Sequence, residues 1–476
     1  MAGKLGSSSR PLRVAIVGAG PSGFYAAGAL LQQKEIHVSI DIFDRLPTPY
    51  GLVRYGVAPD HQKIKSVTKV YERTVRDSRV RYFGNVGLGE EISHDDLKAY
   101  YDQIVYATGA SSDNQLAIPG EELAGSFSAT EFVAWYNGHP DFADREFDLS
   151  VDSVAVVGVG NVAMDVTRIL AKSMDELAVT DIADYALEKL RTSKVKHIHV
   201  IARRGPAQVK FTNPEIKELG ELAEADVIIK AADLVLDPAS QASLESDRTA
   251  ARNLETMQEL AQRGATGKPK QIHFHFLRSP VELSGNGAVQ SMRMEINELR
   301  AGDNGYIGCS GVGNFETLDA GLVFRSIGYR SLPIPGVPFY EKWGIIPNDK
   351  GRVTVTHKGA VLPGEYVVGW AKRGPTGVIG TNKPDAVETV ELMLADVQTI
   401  TPVADDKADP KAVLTLLQGR GVDYFNFDDW LKLEAIEDER GKAQGRPRVK
   451  FTSEAAMLAA VRTQNGQVSS ALAVAD

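Results

Sequence analysis

Runs of apolar residues broken by glycine occur twice in the same order along this chain. Val14 to Gly23 reads VAIVGAGPSG, and Val154 to Ala163 reads VAVVGVGNVA. Each is a β-branched run of strand length that turns through glycines into a segment with helical periodicity, the pattern of a buried parallel strand, a tight turn and a helix. Further strands are predicted at HVSIDIF (His37 to Phe43), within YDQIVYATGA (Tyr101 to Ala110), at HIHVIA (His197 to Ala202) and within GLVFRSIGY (Gly321 to Tyr329). Between them lie a polar helical stretch from Asp165 to Ser193 and a hydrophilic segment from Asp237 to Lys270. Residues 394–412, rich in Asp, Lys and Pro, read as an exposed connector.

A strand, a glycine turn and a helix N-terminus in succession make a seat for pyrophosphate. In the first cradle Gly18 and Gly20 allow the tight turn and the close approach of backbone N–H groups, and Gly23 lets the helix lie against the strand; Gly158, Gly160 and Ala163 take these places in the second. The end of the next strand separates the two ligands. After the first cradle that strand ends at Asp44, 21 residues beyond Gly23, where a carboxylate accepts ribose hydroxyls and repels a 2′-phosphate, which points to FAD or NAD. After the second it ends in Arg203 and Arg204, whose planar forks pair with phosphate oxygens, which points to NADPH. Two nucleotide cofactors in one chain suggest electron transfer between a tightly held flavin and a diffusible nicotinamide.

The predicted fold is α/β, with two Rossmann-like three-layer dinucleotide-binding domains. The NADP domain (113–325) is inserted into an FAD domain formed by 12–112 and 326–476, as in a two-dinucleotide-binding-domain flavoprotein. Composition changes this picture in three places. At 476 residues, 43% hydrophobic and 24% charged, the chain is long enough for two or three domains of ordinary globular character, and no stretch has the length of a membrane span. Membrane insertion is therefore not expected, and the cytoplasm is the expected location. Cys309 is the only cysteine, so no dithiol can receive electrons from flavin and no thiolate cluster can be held; no metal is expected, and electrons must leave to an external acceptor. A net charge of −9 and the lack of a basic-aromatic module speak against nucleic acid.

GLVRYGVAPDH (Gly51 to His61), GVGNVAMD (Gly158 to Asp165), RRGPAQVKFT (Arg203 to Thr212), GWAKRGPTGVIGT (Gly369 to Thr381) and GRPRVKFTS (Gly445 to Ser453) together resemble the adrenodoxin reductase family of ferredoxin–NADP reductases, including its bacterial members. The likeness runs from about Arg13 to the end of the chain. It implies FAD contacts at Ser22, Asp44, Leu52, Leu88, Trp370 and the turn Gly377, Val378, Ile379. It implies NADP contacts at Val159, Gly160, Asn161, Val162, Arg203, Arg204, Glu215 and again Gly377. The family commonly has glutamate at the position of Asp44 and a longer polar residue at that of Val159. In the wider flavoprotein class an acidic residue follows the glycine equivalent to Gly369, whereas here Trp370 does.

The implied reaction runs from NADPH through FAD to a ferredoxin. Hydride passes directly between the cofactors, so alignment rather than a nucleophile is the catalytic requirement. Backbone amides after Gly377, where a helix is expected to start, are placed to stabilise charge on the flavin, and Trp370 to stack on or cover the ring. His61 and Glu215 are the candidate catalytic residues, for proton movement or for orienting the carboxamide. An acidic chain needs a local basic face to meet an acidic ferredoxin, and Lys63, Lys65, Lys69, Lys210, Lys217, Lys372 and Arg373 are the candidates. The rival readings are a flavin mono-oxygenase, for which the expected fingerprint is not found, and a non-catalytic nucleotide-binding redox sensor.

Overall fold

A computed structural model of the protein describes residues 4–302 and 306–464. Leu12–Val17 is buried at all six positions because both faces of its sheet are covered. Leu12, Val14 and Ile16 pack with Phe24, Ala27 and Leu30 of the helix Pro21–Gln32, while Ala15 and Val17 face Leu97, Tyr106 and Leu417 on the other side. Across the sheet the order is Asn348–Asp349, Arg352–Thr354, Val361–Val367, Gln103–Tyr106, Leu12–Val17, Val38–Asp44 and Val80–Gly84, seven strands of which the last five are parallel. Strands from both ends of the chain thus share one sheet. The chain reverses direction across it at Leu12–Val17, so the first cradle opens at the switch point, where α/β sheets bind ligands.

The intervening chain forms a second, six-stranded parallel sheet in the order Ser126–Ser128, Leu322–Arg325, Ser153–Val157, His197–Ile201, Lys270–His275 and Ala225–Ile228. Helices Asn161–Ala171, Asn213–Glu221 and Arg248–Arg263 cover one face. The other face is covered not by helices but by a three-stranded antiparallel sheet, Arg278–Ser284, Ser291–Ala301 and Ile307–Asp319, through Leu283, Met292 and Met294. Met292 and Met294 are buried and Arg293 is exposed, the period-two alternation of a strand with one solvated side.

Two polar stretches are more ordered than the sequence suggests. The helix of the second cradle starts at Asn161, ahead of Asp165, and Asp237 and Asp247 cap two helices inside the hydrophilic segment. Residues 394–412 are only partly a connector: helix Asn382–Asp396 extends into them, Val397 is buried, and Val403 is held by an amide donation to Asp102 Oδ1 (3.0 Å) and a carbonyl accepting from Arg10 Nη2 (3.0 Å).

Buried charges fasten the two sheets to each other. Lys65 Nζ lies 2.7 Å and Lys450 Nζ 3.5 Å from the Asp181 carboxylate, and the side chains of Lys450 and Asp181 are 1% and 3% exposed. Arg446 donates to the carbonyls of Thr180 and Ile182 and pairs with Asp184. No helix among the described residues is long and apolar enough to cross a membrane.

Candidate functional site

Both cradles have the backbone geometry a phosphate seat requires. Gly18 (φ +110°) and Gly158 (φ +137°) are in the left-handed region, and a Cβ there would strike the carbonyl oxygen of Ala107 at 2.4 Å or of Ser326 at 2.2 Å. A Cβ on Gly23 would lie 2.1 Å from Gly18 O, so the helix can approach the strand only without one. Gly20 and Gly160 differ: a Cβ on either would meet no protein atom within 4 Å. Each is the N-cap of its helix and gives the first amides no side-chain acceptor, whereas Ser93, Ser128, Ser173 and Asn426 close capping boxes on other helices. Amides without caps and a clear side at the second glycine fit a dinucleotide at each cradle.

The first cradle is supported from three sides. Asp44 Oδ2 accepts from the amide of Ala19 (2.8 Å) and Oδ1 from that of Leu46 (3.0 Å), which fixes the carboxylate at the strand end; each oxygen keeps a second lone pair for a ribose hydroxyl. Burial raises the Asp44 carboxyl above its ordinary range, and the two amide donors oppose that shift. Gly51 (φ +49°), just ahead of Leu52, stands so close that a Cβ would lie 3.1 Å from Gly20 Cα. Ser22 is buried against Gly369, where a Cβ would be 2.7 Å from the Ser22 side chain. Leu88 follows the neighbouring strand Val80–Gly84 at the same sheet edge and packs into the core layer on the other face of the sheet.

The segment from Gly369 to Thr381 is held by its own hydrogen bonds. The amide of Gly369 donates to Asp385 Oδ2 (2.6 Å), Trp370 Nε1 donates to the carbonyl of Thr376 (3.2 Å), and Arg373 reaches the same carbonyl and Asn382 Oδ1. Trp370 is half-buried, its ring 5.3 Å from that of Tyr329, which lies on a short strand paired with Ser112–Asp113. Gly377 (φ +80°) and Val378 are exposed, and a Cβ on Gly377 would strike Thr381. The helix expected from Val378 begins at Asn382, after one 3-10 turn at Ile379–Thr381.

At the second cradle, the Val159 carbonyl accepts from the amides of Lys210 (2.8 Å) and Phe211 (3.1 Å), and Asn161 Oδ1 accepts from that of Thr212 (2.9 Å), so both tie the turn to the loop after Arg203 and Arg204. Val159 and Val162 pack half-buried on the core. Arg203 is exposed at its strand end, its carbonyl held by Asn297 Nδ2 (2.8 Å) from the antiparallel sheet, and the Arg204 guanidinium lies over the Tyr306 ring.

His61 and Glu215 meet in a charge cluster where the two halves of the molecule join. His61 Nε2 is 3.0 Å from Glu218 Oε2, and its Nδ1 is 3.9 Å from Asp165 Oδ1. At the centre is Arg168, whose side chain is 1% exposed and which pairs with Asp60 (2.8 Å), Asp165 (2.7 Å), Glu215 (3.2 Å) and Glu218 (3.4 Å). Burial and the charge of Asp165 push the Glu215 carboxyl up to about 7, while Arg168 and His61 oppose the shift. Burial raises Asp165; at Asp60, burial opposes a net lowering caused by Arg168 and Lys172. Sequence reasoning does not assign Asp60, Asp165, Arg168 or Glu218 to the site. Their one local signal is the i, i+3 spacing of Asp165 with Arg168 and of Glu215 with Glu218, which places each pair on one helix face.

Two of the lysines assigned to a docking face are unavailable for it. Lys65 is committed to Asp181, and Lys372 is buried between Asp385 (3.1 Å) and Glu388 (2.8 Å). Lys63, Lys69, Lys210 and Lys217 are exposed.

Two sheets, one parallel throughout and one over five of its seven strands, each with a glycine cradle and joined at a charged seam, define a two-dinucleotide-binding-domain flavoprotein. The family model described as pyridine nucleotide-disulphide oxidoreductase matches residues 12–218. NADPH-ferredoxin reductase FprA of Mycobacterium leprae is 43% identical over 94% of this chain and 97% of its own. The mitochondrial NADPH:adrenodoxin oxidoreductase of Arabidopsis thaliana is 40% identical over 95% and 96%. The structure of Mycobacterium tuberculosis FprA in complex with NADPH superposes with a TM-score of 0.90 at 42% identity, covering 95% of this chain and all of that one. The chain belongs to the adrenodoxin reductase family of NADPH–ferredoxin reductases.

Proposed function

We propose that this protein is an NADPH-dependent FAD enzyme that passes electrons from NADPH to a ferredoxin-type iron–sulfur protein, working in the cytoplasm. The observation that carries the reading is the seam itself: Asp60 and His61 from the half with the first cradle interlock with Asp165, Arg168, Glu215 and Glu218 from the half with the second. FAD, when bound, takes two electrons from NADPH and delivers them singly to an iron–sulfur carrier.

The chain supplies position, charge and shelter. Amides at Gly20 and Gly160 would hold the two pyrophosphates, with Ser22 supporting the first and Val159, Asn161 and Val162 the second. Asp44 would accept from the adenosine ribose of FAD, and Leu52 and Leu88 would provide apolar contact. Arg203 and Arg204 grip the 2′-phosphate that distinguishes NADPH from NADH. Trp370, braced by Tyr329 and Thr376, would cover the ring system, and the Gly377, Val378 and Ile379 turn would offer backbone amides to stabilise charge on it. Arg168 keeps Glu215 and Glu218 beside His61, so the imidazole can orient the incoming carboxamide or hold a proton at the seam. The single unpaired Cys309 leaves no internal dithiol acceptor, in keeping with an external electron carrier.

The test is an anaerobic absorbance titration of the purified yellow protein with NADPH and with NADH, followed by cytochrome c reduction with and without added ferredoxin. Bleaching by NADPH at far lower concentration than by NADH, with ferredoxin-dependent cytochrome reduction, is the expected result. A protein that stays colourless after reconstitution with FAD, or that prefers NADH, overturns the assignment.

A further inference from the structure

Outside this site, four histidines form a ladder on adjacent strands of the second sheet. His197 and His199 alternate with Ile198 and Val200 on one strand, and His273 and His275 with Ile272 and Phe274 on the next. The four apolar residues enter the core, so the imidazoles share the opposite face, where all four are half-buried. His199 and His273 are directly opposed in register, and the rings run in a zigzag from His197 to His273, His199 and His275 with centroids 5.4, 4.8 and 5.1 Å apart. His197 Nδ1 is 3.2 Å from His273 Nε2, and His199 Nδ1 is 2.9 Å from His275 Nε2.

Those separations suit a shared cation. Two imidazole nitrogens at about 2.0–2.1 Å from a tetrahedral zinc stand roughly 3.4 Å apart, and adjacent positions around square-planar copper stand about 2.9 Å apart. Metal-bound histidines usually turn their second ring nitrogen to a carboxylate, and His197 Nε2 lies 3.9 Å from Asp152 Oδ2. The other charged groups that reach the ladder are Glu316, Asp233, Lys230 and Arg278, so cation and carboxylate neighbours are balanced. The other candidate group, His61 with Glu215 and Glu218, has ligand atoms within 4.8 Å of one another, but the Arg168 guanidinium already engages both carboxylates.

We propose that this ladder is a binding site for a divalent cation that favours imidazole, Cu²⁺, Ni²⁺ or Zn²⁺, held by one histidine from each strand at His197–His273 or His199–His275. The seats are neighbours along the strands, so a cation in one repels a second in the other, and a single equivalent binds first. Its effect is to cross-link the strand that ends in Arg203 and Arg204 to the strand beside it.

The test uses FAD-loaded protein without a polyhistidine tag, titrated with Cu²⁺ by calorimetry and examined by electron paramagnetic resonance. Hyperfine coupling to two imidazole nitrogens is expected for the first equivalent. The His199→Gln/His273→Gln double variant, which removes one member of each pair, is expected to weaken binding about tenfold or more. A spectrum with one coupled nitrogen, as His61 with two carboxylates would give, overturns the proposal; so does unchanged affinity in the double variant. The spectrum of the unsubstituted protein decides the question even if the double variant does not fold.

Discussion

Alanine at Gly158 and at Gly160 should fail in opposite ways although the two glycines are two residues apart. Gly158 has φ +137°, and its new Cβ would lie 2.2 Å from Ser326 O, a backbone atom that cannot step aside. A backbone held in so sparse a region costs about 1–3 kcal/mol before the collision is counted, so Gly158→Ala should melt at lower temperature. Gly160 has φ −105°, which alanine adopts freely, and its Cβ would meet nothing within 4 Å. Gly160→Ala should therefore keep its fold to within about 0.5 kcal/mol. Its methyl group would instead stand where the nucleotide must approach the uncapped amides of helix Asn161–Ala171. Losing one charge-assisted hydrogen bond costs about 1.5–3 kcal/mol, roughly a ten- to hundredfold loss of NADPH affinity. The assay pairs a thermal melt with the Kd and KM for NADPH, using unchanged FAD content as the control. If Gly160→Ala binds NADPH like the parent, the second cradle does not seat the pyrophosphate, and the clear side at Gly160 has no bearing on the nucleotide.

Four further outcomes are expected. Arg203→Ala and Arg204→Ala should each raise the KM for NADPH by about tenfold or more and leave that for NADH unchanged; equal losses with both nucleotides in steady-state kinetics would remove the 2′-phosphate role. With its carboxyl pushed up to about 7 from 4.5, Glu215 binds a proton in the native state that the unfolded chain has already lost, so its contribution to stability falls as pH rises through that window. Its slope is at most about 1.4 kcal/mol per pH unit, and His139, His199 and His273, whose basicity is lowered, act in the opposite direction. Denaturant unfolding of the parent and of Glu215→Gln at pH 4.5 to 7 should thus show a parent-minus-variant difference that declines with pH; a rising difference contradicts the sign. Alanine at Lys63, Lys69, Lys210 and Lys217 together should flatten the salt dependence of ferredoxin-linked turnover but not of NADPH–ferricyanide turnover. Lys65→Ala should destabilise the fold by about 1–3 kcal/mol, because the buried Asp181 keeps only its longer contact to Lys450.

What the sequence revealed and what it hid divide by the range of the interactions. The cradles, Asp44 at one strand end and Arg203 with Arg204 at another were legible because the requirements are local: a left-handed turn, an uncapped helix start, a charge where a strand stops. The cluster around Arg168 was not, for its partners stand 108 residues away at Asp60 and 47 at Glu215, and only the packing of two sheets brings them together. Lys65 and Lys372 were misplaced for the same reason, since a lysine beside a cofactor motif does not announce a buried carboxylate from another element. The antiparallel sheet from Arg278 to Asp319 was within reach, because Met292 and Met294 alternate with polar neighbours; that half-apolar pattern stands out less than the continuously apolar runs of the parallel strands.

The tie between Lys65, Asp181 and Lys450 has a bearing on how the enzyme turns over. Burial pushes Lys450 well below its ordinary basicity, and swinging the halves apart would break the contacts of Lys65 and Lys450 with Asp181 together. The gap between the sheets is therefore a fixed aperture rather than a jaw. A frame tied in this way is expected to admit nicotinamide past its rim side chains without opening and, on heating, to lose both halves in one concerted transition.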